Sequence, residues 1–543
     1  MSARRVAQGV AGAALLISAL TLLARVAGFG RTVVFTNAVG ADSTGDTYLA
    51  ANNVPNIVFE VVAGGALASL VVPMLAGGIA AGDREQVRRT ASALLGWTLL
   101  LLVPLAVLLA VLAHPIATLL LGGDAGDPAK VDLAARFLVV FAPQVVLYGI
   151  GIVLTGVLQA HRRFAGPAIA PLLSSVVVAT AYLLFAALGG SRDVDTLSTP
   201  AELVLGVGTT LGVVALALSL LVPMRGLGLR LRPSLRFPVG AAPRVRRLAL
   251  AGVLTLAGQQ LVAVVAIRLA NTDAPDGTQV VYFAGLTLFL LPWAAVAVPL
   301  ATSVYPGLSE AAERGDEPAY RRSLAPAAVL VLVGSAVAAA GLVAVSGPMA
   351  RVFLASGDDG GSAIALQPAI AAFAPGLLGY GLVALLSRAL YARGLWRAPT
   401  ACVAGGWLVA VAADLVLSAA LPSGDRAFAL AAGHTVGVTV AGLALLVVTA
   451  RVAGPGVLDG LPRTGGPAVV AAVVAGAAGL LTARALGADP VPGGLAAALG
   501  AGVAAGAVVL VVAGAIIMGT ARGPLLAAVA GLRGPVRQEA THG

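Results

Sequence analysis

The sequence predicts an all-α polytopic membrane protein, and two observations carry this prediction. First, 59% of its 543 residues are hydrophobic, only 11% are charged, and the mean hydropathy is +0.98, whereas an average soluble domain is about 25% charged. Second, apolar windows long enough to cross a hydrocarbon core about 30 Å thick recur along the chain. These polar and charged residues are too few to cover the surface of a soluble globule of this size. The composition therefore excludes a cytosolic enzyme, a nucleic-acid-binding protein and a disordered scaffold.

Fourteen apolar windows are candidate transmembrane helices. Prolines interrupt several of them, which a membrane helix tolerates where neighbouring groups satisfy the freed carbonyls. The first window is too long for a removable signal peptide, and no cleavage site with a polar mature region follows it. The windows lie approximately at 7–29, 47–77, 91–113, 133–159, 167–190, 203–223, 248–270, 279–308, 324–347, 364–391, 399–421, 427–450, 467–487 and 494–519.

The charges of the loops predict the orientation. With both termini cytoplasmic, the inner segments and the adjoining window ends carry 25 basic and 8 acidic residues, and the outer ones carry 7 basic and 14 acidic residues, with Arg25, Arg268, Glu60 and Asp414 left inside the windows. Cytoplasmic loops accumulate Lys and Arg, so we expect an even number of helices with both ends inside. Seven arginines crowd the segment 224–247, where topology and attraction to anionic lipid headgroups explain them more simply than a specific partner does.

An internal duplication organises the chain. Gly82-Asp83 recurs as Gly315-Asp316 at an offset of 233 residues, and Phe141-Ala142-Pro143 recurs as Phe373-Ala374-Pro375 at an offset of 232. Each copy spans six helices, so both enter the membrane in the same sense, which predicts two parallel lobes around a central cavity, the architecture of a transporter. The predicted parts are an N-terminal lobe (1–223), a basic cytoplasmic linker (224–247), a C-terminal lobe (248–450), two additional transmembrane helices (451–519) and a cytoplasmic tail (520–543).

The segment Ala24–Arg31 (ARVAGFGR) and the triplet Val54-Pro55-Asn56 stand at the first two apolar windows. They resemble the first two helices of the MurJ family, also called MviN, of bacterial lipid II flippases. Pro143-Gln144 is similar to its fourth helix and Pro306–Ser309 (PGLS) to its eighth. The resemblance covers roughly residues 10–450, and an organisation of six, six and two helices is also the family's.

This resemblance implies the fold of the multidrug/oligosaccharidyl-lipid/polysaccharide exporter superfamily and a transporter, not an enzyme. Its substrate would be lipid II, the undecaprenyl-pyrophosphate-linked precursor of peptidoglycan. The headgroup would cross from the inner to the outer leaflet of the bacterial plasma membrane by alternating access, while the isoprenoid tail stays in lipid beside the last two helices. Expected partners are this polyprenyl-linked glycan, membrane lipids and the cell-wall synthesis machinery, with no nucleic acid.

The resemblance also implies substrate-binding residues. In the family, arginines of the first, second and eighth helices are thought to meet the pyrophosphate; Arg25 and Arg31 match the first-helix pair, and Asp46 matches the acid that follows. Asp46 opens the second window, where a carboxylate could instead complement the N-terminus of that helix. A guanidinium suits a pyrophosphate because its planar fork holds two oxygens. Phe59 and Thr287 stand where the family usually has its other two arginines. These departures leave another polyprenyl-linked glycan open as the substrate.

Three further residues are substrate-binding candidates from their positions alone. Glu60 is an intramembrane acid, which defaults to a functional hypothesis, and Arg25 is its candidate partner. Asn56 could hydrogen-bond a sugar headgroup or hold helices together. Arg268 lies in the span equivalent to the first one and could supply a second cation, although snorkelling to the interface explains its position equally well.

An ion-coupling site is predicted in the C-terminal lobe. Asp414 lies deep in the eleventh window, with Thr435 and Thr439 in the next one, and a carboxylate among hydroxyls suits Na⁺ or a proton. The alternative is a hydrogen bond from a threonine to Asp414 that joins the two helices. No ATP-binding loop is present, so transport would depend on Na⁺, H⁺ or the membrane potential. We expect no cofactor, metal site or catalytic residue.

Two other functions remain open. An ion-coupled drug or metabolite antiporter of the same superfamily would use an acid pair such as Glu60 and Asp414. The other is a membrane scaffold that recruits envelope enzymes, whose function would not change when Arg25 is neutralised.

Overall fold

The computed structural model describes residues 20, 23–61, 65–122, 126–236, 242–354, 361–454, 456–487 and 494–532. In that part of the chain the regular structure is helical throughout, without a strand, which confirms the predicted all-α class. Most of the first predicted window and the tail beyond residue 532 lie outside the described residues. The predicted beginning of the first transmembrane helix and the predicted cytoplasmic tail therefore stay predictions.

Twenty-one α-helices follow one another in the described chain. They are α1 (23–38), α2 (Ser43–Phe59), α3 (Gly65–Ala80), α4 (Arg84–Val111), α5 (Ala113–Leu120), α6 (Pro128–Ala160), α7 (Ala165–Ala187), α8 (Thr199–Ser219), α9 (Leu221–Arg225), α10 (Ala242–Ala270), α11 (Thr278–Pro292), α12 (Val298–Glu313), α13 (Glu317–Ala344), α14 (Ser346–Phe353), α15 (Gly361–Phe373), α16 (Gly376–Ala392), α17 (Arg397–Ala420), α18 (Arg426–Ala453), α19 (Leu461–Ala485), α20 (Leu495–Thr520) and α21 (Arg522–Leu532).

Two compact units divide the chain, residues 1–280 and 281–543. Ten described helices are long and apolar enough to cross a membrane, and the bent pair α15–α16 makes up to eleven. The count of fourteen spans and the exact lobe boundaries stay predictions. In the second unit α19 packs closely on both α13 and α20 at Gly479, where a Cβ would lie 2.5 Å from Ala344 of α13 and 2.7 Å from Val509 of α20.

The duplication is visible in the local structure of the two units. α4 and α13 are each 28 residues long, and an eight-residue helix follows each of them. Before each long helix stands a glycine with positive φ, Gly82 at 69° and Gly315 at 67°, a conformation that costs glycine little. Asp83 and Asp316 then accept hydrogen bonds from Gln86 N at 2.8 Å and from Ala319 N at 2.9 Å. The same cap therefore begins both copies of the helix.

The copies differ where Phe-Ala-Pro recurs. α6 continues through Pro143, whereas the second copy breaks between Phe373 and Gly376 and bends by 46°. A proline has no N–H to donate, so carbonyls before it lose their helical partner. In the second copy the hydroxyl of Thr435 donates to the oxygen of Ala372 at 2.7 Å and to that of Phe373 at 3.3 Å. α18 thereby satisfies the carbonyls that the break exposes.

Candidate functional site

The two predicted first-helix arginines both lie on α1. Arg25 is exposed and Arg31 is half-buried. Between them Gly28 and Gly30 leave open space, since a Cβ built on either would meet nothing within 4 Å. Among the described residues, the glycines of the ARVAGFGR segment thus leave open space on α1 between Arg25 and Arg31.

Arg31 lies in a cluster of polar and aromatic groups. Its charge acts on the hydroxyls of Tyr148 on α6 and Tyr182 on α7, and Asn56 makes a side-chain hydrogen bond with Tyr148. Phe59 packs on Tyr148 with ring centroids 5.3 Å apart. Asn56 therefore contacts Tyr148, and the charge of Arg31 acts on the same hydroxyl. We call Arg31, Asn56, Phe59, Tyr148 and Tyr182 the first-unit cluster.

The tyrosines were not singled out as site residues from the sequence. The repeated Tyr-Gly pair, Tyr148-Gly149 and Tyr380-Gly381, was the signal that could have found Tyr148. Tyr182 is held by a buried hydroxyl network, in which the hydroxyl of Tyr48 lies 2.9 Å from that of Tyr182 and 2.8 Å from that of Thr209. This network fixes α2, α7 and α8 behind the cluster.

Glu60 is half-buried just beyond the end of α2. No ion pair joins it to Arg25 within the described residues. The suggested pairing of the two is therefore absent from this conformation.

Asp46 is 2% exposed and both of its carboxylate oxygens are in use. Oδ2 accepts from the N–H of Gly277 at 2.7 Å, and Oδ1 accepts from the N–H of Val280 at 2.9 Å. α11 begins at Thr278, so Asp46 caps a helix 231 residues away in sequence and satisfies two N–H groups that a helix start leaves unpaired. Its close approach depends on Gly45, where a Cβ would lie 2.2 Å from the oxygen of Gly40.

Arg268 is half-buried in the last turn of α10. Its Nη1 donates to the hydroxyl of Thr272 at 2.9 Å, and that hydroxyl donates back to the carbonyl of Arg268 at 2.8 Å. A cation in the last turn also complements the helix dipole. The local contacts thus hold Arg268 at the end of its own helix.

The predicted ion-coupling residues lie on α17 and α18 of the second unit. Asp414 is 0% exposed, and neither of its oxygens has a hydrogen-bond partner in the described structure. The suggested threonine bond is wrong for Thr435, whose hydroxyl donates to the α15 carbonyls. Thr439 is half-buried where α16 crosses α18, since a Cβ on Gly379 would lie 2.5 Å from its Cα.

Gly433 and His434 are the neighbours of this carboxylate that sequence reasoning missed. A Cβ on Gly433 would lie 2.0 Å from Oδ1 of Asp414, so the two helices touch there. His434 is 7% exposed, neither ring nitrogen has a hydrogen-bond partner among the described residues, and aromatic rings surround it. Its ring centroid lies 5.4 Å from that of Phe289, 5.5 Å from Phe373, 5.5 Å from Trp407 and 6.5 Å from Tyr380.

A carboxylate and an imidazole that both lack partners in an apolar interior are costly to bury. Such groups are available to take up a cation or a proton. The described residues hold no group of three or more His, Cys, Asp or Glu side chains placed to bind a metal ion.

Comparison with known proteins gives a consistent result. The model of the family "Lipid II flippase MurJ" matches residues 35–488. The probable lipid II flippase MurJ of Rhizobium meliloti (strain 1021) is 27% identical over 413 residues, 74% of each chain. That of Vibrio cholerae serotype O1 is 25% identical over 415 residues, 75% of this chain and 76% of the relative.

Two solved structures share the fold. A lipid II flippase MurJ in an inward closed conformation matches with a TM-score of 0.71 at 18% identity, over 93% of this chain and 99% of that one. An inward-facing multidrug-resistance MATE transporter matches with a TM-score of 0.65 at 14% identity, over 81% of this chain and 98% of that one. The fold is therefore that of this exporter superfamily.

Proposed function

We propose that this chain, which belongs to the MurJ family of lipid II flippases, moves lipid II from the inner to the outer leaflet of a bacterial plasma membrane. The observation that carries the proposal is the family match over residues 35–488. The MATE-type fold supports alternating access as the mechanism. Both termini would be cytoplasmic, and cell-wall synthesis enzymes that consume the flipped precursor would be its functional partners.

The first-unit cluster would bind the headgroup. Arg31 would hold two pyrophosphate oxygens through its guanidinium fork, and the amide of Asn56 would donate to the sugar or the phosphate. Arg25, exposed one to two turns earlier on α1, would meet the anion first. Among the described residues, no atom lies within 4 Å of a Cβ built on Gly28 or Gly30, and this space would admit part of a headgroup beside α1.

A flippase for another polyprenyl-linked glycan is the second candidate, and Phe59 favours it. Where a second arginine is usual in the family, this chain packs Phe59 on Tyr148. An aromatic pair offers a sugar ring a flat apolar surface but offers a second phosphate no charge. Arg268 would supply a further cation, with its Nη1 already donating to Thr272, while Asp46 and Glu60 would tune the approach to the anion.

Coupling to an ion would take place at Asp414. Its oxygens lie unpartnered in an apolar interior, and loading with Na⁺ or H⁺ would neutralise them. Solved MATE transporters of the same fold make ion coupling reasonable for this chain. Thr435 and Thr439 would contribute hydroxyl oxygens, although the hydroxyl of Thr435 already donates to carbonyls at the break between α15 and α16.

Complementation tests the function. The full chain and the variant Arg31→Gln are expressed to equal levels in a bacterium depleted of its own lipid II flippase, with Arg484→Gln, an exposed arginine of α19, as the matched control. We expect rescue by the wild type and by the control but not by Arg31→Gln. Rescue by all three would remove Arg31 from the headgroup site. Failure of a well-inserted wild type would refute lipid II as the substrate and favour another lipid-linked glycan.

A further inference from the structure

The segment 226–236, which follows α9, is fastened along the start of α4 within the first unit. The N–H of Ser234 donates to the carbonyl of Ser92 at 3.1 Å, and the N–H of Arg232 lies 3.2 Å from the hydroxyl of Ser92. One turn further on, the indole N–H of Trp97 donates to the carbonyl of Leu235 at 3.1 Å. This segment of the basic linker therefore follows a defined path.

Gly96 makes that path possible. A Cβ at this position would lie 2.1 Å from the oxygen and 2.6 Å from the nitrogen of Ser234, distances at which backbone must move. The glycine of α4 is thus the point at which the linker crosses the helix in direct backbone contact.

The linker sequence alternates in the way an extended chain on an apolar surface does. Leu227, Leu229 and Leu231 pack against the buried cluster formed by α3, α4, α6 and α9. Arg230 and Arg232 point the other way and are exposed. Burial of the leucines fixes which arginines face outward.

A cavity of about 820 Å³ lies between the first turns of α4 and the linker. Its charged lining consists of four arginines and two acids. These are Arg88, Arg89, Arg232, Arg236, Asp83 and Glu85.

The two acids are already engaged. The carboxylate of Glu85 accepts from Arg88 at 2.6 and 2.8 Å and from Arg89 at 2.8 Å, and Asp83 caps α4. Arg232 and Arg236 form no ion pair within the described chain. Within the described chain the cavity therefore presents two guanidinium groups without an ion-pair partner, on a linker whose backbone is held by Ser92 and Trp97.

We propose that this cavity binds a phosphate group, and that its occupant is the headgroup of an anionic bilayer lipid. A guanidinium matches a phosphate diester with two parallel N–H donors. Beside the cavity, Trp97 is 45% exposed, and Leu100 and Leu101 on the same helix are about half exposed at 49% and 53%. Tryptophan is typical of the membrane interface, so the acyl chains would lie along α4. This site is separate from the headgroup cluster proposed for transport.

The corresponding place in the second copy is occupied differently. Glu317 accepts from Arg393 at 2.5 Å, and Arg321 donates to the carbonyl of Ala453 at 3.4 Å. The segment 456–460 between α18 and α19 also lies along α13, but a Cβ on Gly460 would meet only the side chain of Val329, at 3.2 Å, and not backbone as at Gly96. We therefore expect one such lipid site per chain.

The purified full chain in detergent is titrated with phosphatidylglycerol or with phosphatidylcholine, and bound lipid is counted by native mass spectrometry. The double variant Arg232→Gln/Arg236→Gln removes the two free charges. Arg230→Gln is the matched control, because Arg230 lies on the same linker and outside the cavity lining. Gly96→Val keeps every charge and displaces the linker.

We expect one tightly bound phosphatidylglycerol in the wild type and a loss of affinity of ~10-fold or more in the double variant. Gly96→Val is expected to lose the same lipid, whereas Arg230→Gln stays within about 2-fold of the wild type. Equal losses in Arg230→Gln and the double variant would overturn the proposal in favour of diffuse attraction. Displacement of the lipid by millimolar inorganic phosphate, or equal binding of phosphatidylcholine, would refute an anionic lipid as the occupant.

Discussion

The cap that Asp46 places on α11 makes a sharp stability prediction. Asp46→Asn keeps the shape of the side chain but replaces one carboxylate oxygen with an NH₂ group. That NH₂ would face the N–H of Gly277 or of Val280, which now lie 2.7 and 2.9 Å from an acceptor. A buried donor left without an acceptor costs about 1–3 kcal/mol, and loss of the negative charge at the start of α11 costs up to about 1 kcal/mol more. The expected destabilisation is therefore about 1–4 kcal/mol.

The assay is reversible unfolding of the full chain in mixed detergent micelles, followed by tryptophan fluorescence. Asp316→Asn is the matched control, because Asp316 caps α13 at an exposed site, where Asn is nearly as good an N-cap as Asp. We expect a change below about 0.5 kcal/mol for this control. If Asp46→Asn were as stable as the control, the two hydrogen bonds would not hold α11 as inferred. Loss of transport with unchanged stability would instead assign Asp46 to the substrate.

Three further outcomes follow from contacts in the two units and are measured by the same unfolding assay. Thr435→Val should cost about 1–3 kcal/mol, because the carbonyls at the break before α16 lose their donor; no loss would mean that water serves them equally well. Gly433→Ala should destabilise the protein at the α17–α18 contact, since the new Cβ would lie 2.0 Å from Oδ1 of Asp414. Gly405→Ala has open space around it and should raise the free energy of unfolding by up to about 1 kcal/mol. Equal effects of the two variants would refute the close contact. Arg136→Gln should change stability by less than about 1 kcal/mol, because its ion pair with Glu202 is solvent-accessible; a larger loss would show a buried network.

The class of fold followed from the sequence because it depends on composition and on repetition. Apolar windows and a nearly constant offset are properties that a chain carries along its length. The repeated Gly-Asp pair also carried its own local geometry, and Gly82-Asp83 and Gly315-Asp316 form the same turn and cap. Short-range patterns of this kind determine structure within one helix turn.

The candidate sites could be predicted only in part from the sequence, because they depend on contacts between residues that are distant along the chain. An acid near the start of α2 predicts a cap for α2 itself, yet Asp46 caps α11. His434 gave no signal, since a lone histidine in an apolar window has no spacing that marks it. Asn56 was a candidate for sugar binding or helix contacts, and its bond to Tyr148 depends on how α2 packs on α6.

A fused pair of copies has two equivalent helix starts but only one connecting segment. The two copies must therefore differ at the segment that joins them, whatever selection acts on the rest of the chain. Here the connecting segment contacts the backbone of the first copy at Gly96, while at the start of α13 in the second copy Glu317 accepts from Arg393 and Arg321 donates to the carbonyl of Ala453. The join of a duplication is thus a place where one copy acquires a surface that the other copy lacks, although the two share the same helix cap.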